Sequence, residues 1–110
     1  MQISNEGILT QLGYPVDEAN LKQLELIEKN TSGFENIKKH IIALNDHLKP
    51  YGGYVTLSNT NPYLKIKVDS PSSSYSDIVL AEIRKWADKY NVTLKEVKSQ
   101  KTYYILGISS

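Results

Sequence analysis

Tyr54-Val55-Thr56-Leu57-Ser58 follows an amphipathic stretch that opens at Phe34, and Val92-Thr93-Leu94 follows a second one that opens at Tyr75. The last two-thirds of the chain therefore read as helix, hairpin, helix, hairpin. Two hairpins and two helices pack most simply as one antiparallel sheet with the helices on one face. The expected fold class is α+β: a two-layer sandwich with a four-stranded antiparallel or mixed sheet, in the order α-α-β-β-α-β-β. The shared Val-Thr-Leu is three good strand formers. It marks a structural rhythm and carries no claim of ancestry.

Working outward from this stretch, Phe34, Ile37, Ile41, Leu44 and Leu48 follow 3-4-3-4 spacing, which gives a helix with one continuous apolar face. Ser32 with Glu35 reads as its capping box, and Pro50, Gly52 and Gly53 stop it. The residues from Tyr54 to Ser58 and from Tyr63 to Val68 alternate at the strand period around Asn59-Thr60-Asn61-Pro62. Ser74 with Asp77 reads as the cap of the next helix, whose buried stripe is Tyr75, Val79, Ile83, Trp86 and Tyr90. A second hairpin joins 92–98 to 102–108 around Ser99-Gln100-Lys101.

Upstream, Asp17 reads as an N-cap, with Val16 and Leu21 as a hydrophobic staple. A helix over 18–29 should bury Leu21, Leu24 and Ile27. Residues 1–16 are expected as a weakly structured lead-in to a single domain spanning 1–110, with Ile8, Leu9 and Leu12 forming a short turn of helix or strand.

Strand order follows from composition. Tyr103-Tyr104-Ile105-Leu106-Gly107-Ile108 is the most apolar strand, which suits a central position. Lys95, Glu96 and Lys98 give the preceding strand the charged marking of an edge. Moving the last strand to the front yields β-α-β-β-α-β, the ferredoxin-like plan. The expectation is that circular permutation, with the last strand central and parallel to the strand that ends at Val68; a plain meander of the two hairpins is the rival.

The chain's 110 residues carry a formal net charge of +1, and 40% of them are hydrophobic. That balance offers no whole-protein attraction to nucleic acid or an anionic membrane, so any basic surface must be local. The absence of cysteine excludes disulfides, thiol catalysis, Cys-based zinc sites and iron–sulfur clusters. The opening Met1-Gln2-Ile3-Ser4-Asn5-Glu6 lacks the plan of a signal peptide, and no stretch approaches the roughly 18 apolar residues of a membrane helix. A cytoplasmic protein that meets no membrane is expected.

Few residues carry recognisable chemistry. His40 and His47 sit seven residues apart on one helix, about 10 Å, too far to share a metal as an i,i+4 pair does. No Gly-x-Ser-x-Gly elbow, Walker loop or dinucleotide fingerprint occurs. The expectation is therefore a non-enzymatic protein that needs no cofactor and no metal. Ser72, Ser73 and Ser74 open a helix where free N–H groups could hold an anion, although Asp69 and Asp77 flank them.

From Leu64 to Ile108 the plan of strand, Asp69-Ser70-Pro71, helix and hairpin resembles the carboxy-terminal part of the small sulfur-carrier proteins. That resemblance implies a two-layer α+β domain. The family's Cys-Pro-x-Pro motif has no counterpart here, so its sulfur chemistry does not carry over.

The sequence thus points to a binding module. Its partner is expected to be a protein or a second copy of itself, docked on the uncharged edge from Tyr54 to Ser58 or on the outer sheet face. The alternative is single-stranded nucleic acid bound by Tyr63, Lys65, Lys67 and Tyr103 on that face. Anion or small-molecule sensing at Ser72, Ser73 and Ser74 is third.

Overall fold

The computed structural model describes residues 4–58, 61–97 and 101–108. In chain order the elements are α1 (Asn5–Gln11), α2 (Glu18–Asn30), α3 (Phe34–Leu48), a 3-10 turn (Lys49–Tyr51), β1 (Gly53–Leu57), β2 (Leu64–Val68), α4 (Ser73–Tyr90), β3 (Val92–Val97) and β4 (Thr102–Ile108). The four strands form one sheet in the order β1-β2-β4-β3. The last strand is central and the first and third are the edges, as its apolar composition requires.

Every pairing in that sheet is antiparallel, which corrects the parallel sense expected between β2 and β4. The reason is topological. Helix α4 carries the chain back to the end of the sheet where β2 began, so β2 and β3 run the same way. The β3–β4 hairpin then reverses β4, which must lie antiparallel to both. A meander is ruled out because β2 and β3 are not neighbours.

Inward-pointing Val55, Leu57, Leu64, Ile66, Val68, Tyr103 and Ile105 meet the apolar faces of α3 and α4. From α3 come Phe34, Ile37, Ile41, Leu44 and Leu48; from α4 come Val79, Ile83 and Trp86. Each such side chain contributes about 1.5–3 kcal/mol of burial, which is why short strands suffice. Tyr75, expected in the α4 stripe, is instead 41% exposed in the first turn of the helix. Its ring meets Tyr51 edge-on at 5.7 Å.

The segment expected as a weak lead-in contributes to the core. Ser4 caps α1 by accepting the Gly7 N–H, and Ile8 and Leu9 are fully buried beside Leu24 and Ile27 of α2. Asp17 caps α2 as its sequence predicts, accepting the Asn20 N–H at 2.8 Å. Val16 stays 48% exposed, so it closes no staple on Leu21.

Two other caps differ from expectation. At α3 the N-cap is Gly33, with φ +68° and no side-chain cap. Ser32 is drawn away because its backbone pairs with β4: its N–H donates to Leu106 O at 3.3 Å and its carbonyl accepts from Ile108 N–H at 2.7 Å. This bridge lies where β2, the shorter strand, no longer accompanies β4. At α4 the cap is Ser72, whose hydroxyl accepts the Tyr75 N–H; Ser74 already lies inside the first turn. The expected turns at 59–62 and 99–101 fall partly outside the described residues.

Candidate functional site: the outer face of the sheet

The pleat sends alternate strand residues away from the helices, and the register fixes which ones meet. Tyr54 stands opposite Lys67, Thr56 opposite Lys65, Lys65 opposite Tyr104, and Tyr104 opposite Lys95. One row across the four strands therefore reads Thr56, Lys65, Tyr104, Lys95. The next reads Tyr54, Lys67, Thr102, Val97. Adjacent strands are about 4.8 Å apart, so Lys65 and Lys95 flank the Tyr104 position across about 10 Å; Lys65 and Lys67 are separated by about 7 Å along β2.

These outward positions include three lysines and no carboxylate. Among the described strand residues the one acid, Glu96, stands opposite inward-facing Tyr103, and Asp69 follows the end of β2. Tyr54 and Lys95 are exposed, and Lys65, Lys67 and Tyr104 are half-buried, so all five reach solvent. Thr56 at one corner meets the Tyr14 hydroxyl, which also accepts the Leu57 N–H.

Of the residues expected to bind nucleic acid, the register brings Lys65 and Lys67 together. Tyr103 does not join them: it pairs with Ile66, is 7% exposed, and donates its hydroxyl to Glu96 at 3.4 Å on the helix side. Burial, then the Glu96 charge, raises its phenol pKa and keeps that proton in place. Tyr104 takes the outward position instead. Tyr63 precedes β2 and lies outside the ladder, so the pleat does not orient it.

The β1 edge, expected to accept a partner strand, is already engaged. Val55 N–H donates to Asn45 Oδ1 at 2.8 Å and Leu57 N–H donates to Tyr14. Ser58, fully buried, accepts from the Gln23 side chain through its carbonyl. These contacts take the Val55 and Leu57 N–H donors, two of the groups that a docking strand would need.

Two concavities lie elsewhere. A trough of about 740 Å³ runs between α3 and α4 over Ala43, Leu44 and Trp86. One end is closed by the His40 ring stacked on Tyr90 at 3.9 Å, braced by Trp86 Nε1 donating to His40 O at 3.0 Å. The other is closed by His47 Nε2 and Glu82 Oε2 at 3.2 Å. Burial, then Lys39 and Lys89, lowers the His40 pKa and favours the neutral ring. The rim mixes Lys85 and Lys89 with Glu82 and Asp88, so it selects no sign of charge. His40 and His47 thus serve opposite ends of one trough. Among the described residues, no three His, Asp or Glu side chains gather to hold a metal ion.

A cavity of about 310 Å³ adjoins Ser73 and is lined by Asp77, Glu96, Lys101 and Tyr103. Two carboxylates against one lysine oppose an anion there, and the Ser72 hydroxyl is committed to its cap. Ser73 and Ser74 lie exposed in the first turn of α4. Among the described residues, no helix is long and apolar enough to cross a membrane. Comparison with family models, with curated proteins and with solved structures found no match.

Proposed function

We propose that this protein is a non-enzymatic binding module that takes a polyanionic ligand on the outer face of its sheet. The observation that carries this reading is the segregation of charge. Lys65, Lys67 and Lys95 stand on outward strand positions with no carboxylate among them, in a chain whose net charge is only +1. Local fields of one sign attract a ligand at close range even where the summed charge is small.

Self-association through this face is the weaker reading. A second copy placed face to face would set lysines against lysines, and β1 offers no free donors at Val55 or Leu57 to build a continuous sheet. A protein partner fits only where its own surface is acidic.

The test is an amide chemical-shift titration with inorganic polyphosphate. Shifts should gather on Lys65, Lys67, Lys95 and Tyr104, and the Lys65→Glu/Lys67→Glu/Lys95→Glu variant should lose them while keeping its thermal transition. Shifts gathered on the α3–α4 trough, or an unchanged response in the triple variant, would overturn the reading.

A further inference from the structure

We infer that the polyanion is a single-stranded nucleic acid and that Tyr104 is the residue on which a base stacks. This inference rests on the polyanion reading above and adds a stated ligand chemistry to it. A bare polyanion needs only cations. Here each row of the face joins lysine to tyrosine: Lys65–Tyr104–Lys95 in one, Tyr54–Lys67 in the other.

Tyr104 lies on central β4 with a lysine position on the strand to either side. A base lying on its ring would have phosphates within reach of Lys65 or Lys95. Aromatic platforms between cations are what single strands use, because an unstacked base offers its flat face while a duplex hides it. Stacking on a ring and lysine contacts to phosphates read no base edge, so the binding should be tolerant of sequence. An acidic protein surface would engage the lysines but has no use for the ring.

The test is fluorescence anisotropy of a short labelled oligouridine, compared with its duplex with oligoadenine, with inorganic polyphosphate, and with poly-L-glutamate as the acidic-protein surrogate. The oligouridine should bind most tightly. Tyr104→Ala should weaken it by about 5- to 140-fold, with Tyr104→Phe near wild type because the ring does the stacking. Tyr103→Phe, altered on the helix side, should leave binding unchanged.

Lys95→Ala, on the exposed edge strand, should lower the slope of log affinity against log salt by about 0.7. This gives a readout that does not depend on Tyr104→Ala folding. If oligouridine and polyphosphate bind alike and neither Tyr104 variant matters, the stacking inference fails while the polyanion reading stands. If poly-L-glutamate binds and oligouridine does not, the occupant is an acidic protein and the inference fails. If none of the four binds, both readings fail.

Discussion

Replacing Gly107 with alanine tests the most constrained contact in the fold. Gly107 lies in β4 with φ +123°, a conformation that costs a residue with a side chain about 1–3 kcal/mol. It also faces the backbone of Ser32 directly. An added Cβ would sit 2.8 Å from Ser32 Cα and closer still to its N and O. Backbone cannot swing aside as a side-chain tip can, so the linker between α2 and α3 must move away from β4. That movement breaks two hydrogen bonds, Ser32 N–H to Leu106 O and Ile108 N–H to Ser32 O, each worth about 0.5–1.5 kcal/mol. The expected loss is about 2–6 kcal/mol, a large share of the roughly 5–15 kcal/mol that holds a typical domain folded.

Urea unfolding, followed through the single tryptophan, Trp86, measures it. With a slope of about 1–3 kcal/mol per molar, the midpoint should fall by about a molar or more. Ser32→Ala is the control. It keeps the backbone bridge and removes a hydroxyl that caps nothing, so it should stay within about 0.5 kcal/mol of wild type. A Gly107→Ala loss below about 1 kcal/mol would refute the bridge. A Ser32→Ala loss near the 1 kcal/mol of a lost cap would instead restore Ser32 as the cap of α3.

Ile41→Ala and Ile83→Ala, both at fully buried positions on the two helices over the sheet, should each cost about 2–5 kcal/mol in the same assay; losses under 1 kcal/mol at both would mean their faces are misassigned. Asn45→Ala combined with Tyr14→Phe removes the side-chain oxygen that meets Val55 N–H and disturbs the acceptor of Leu57 N–H. Sedimentation velocity should then show more self-association than wild type, and an unchanged profile would mean that these contacts do not guard the edge. Because burial lowers the His40 pKa, the unfolded chain binds the proton more readily, so stability should fall as pH drops below about 6.5 toward the folded value. The pH dependence should be shallower in His40→Gln; equal slopes would remove His40 from the account.

Local periodicity made the long elements legible. The 3-4-3-4 run from Phe34 to Leu48 and the alternation of Leu64, Ile66 and Val68 each place one face inward without outside help. Features set by distant contacts were not legible. Tyr103-Tyr104-Ile105-Leu106 has no alternation, so only pairing with Ile66 and Lys65 decides which tyrosine turns outward. Ser32 has every local mark of an N-cap, and a bridge to a strand more than seventy residues later takes its backbone instead. The seal on β1 depends on Asn45 and Tyr14, neither of which carries a local signal for that role. The proposed binding face was half legible: Lys65 and Lys67 follow from their own strand, whereas Lys95 and Tyr104 join them only once the strand order is known.

The way the two sheet edges are protected narrows how this protein can engage a ligand. At β1 the outward donors of Val55 and Leu57 are taken by side chains from α3 and from the α1–α2 linker. At β3 the protection is charge, with Lys95 and Glu96 in sequence on an exposed strand. Sealing and charging are separate answers to the same hazard, an unpaired row of backbone groups. With two donors taken at one edge and charge at the other, adding a partner strand becomes the costlier route to binding. On the outer face, α3 and α4 being packed on the inner side, Tyr54, Lys65, Lys67, Lys95 and Tyr104 keep access to solvent. On the proposed reading, recognition on this sheet passes through side chains, so affinity should follow the tyrosine and lysine positions and be insensitive to substitutions elsewhere that leave the ladder hydrogen bonds unchanged.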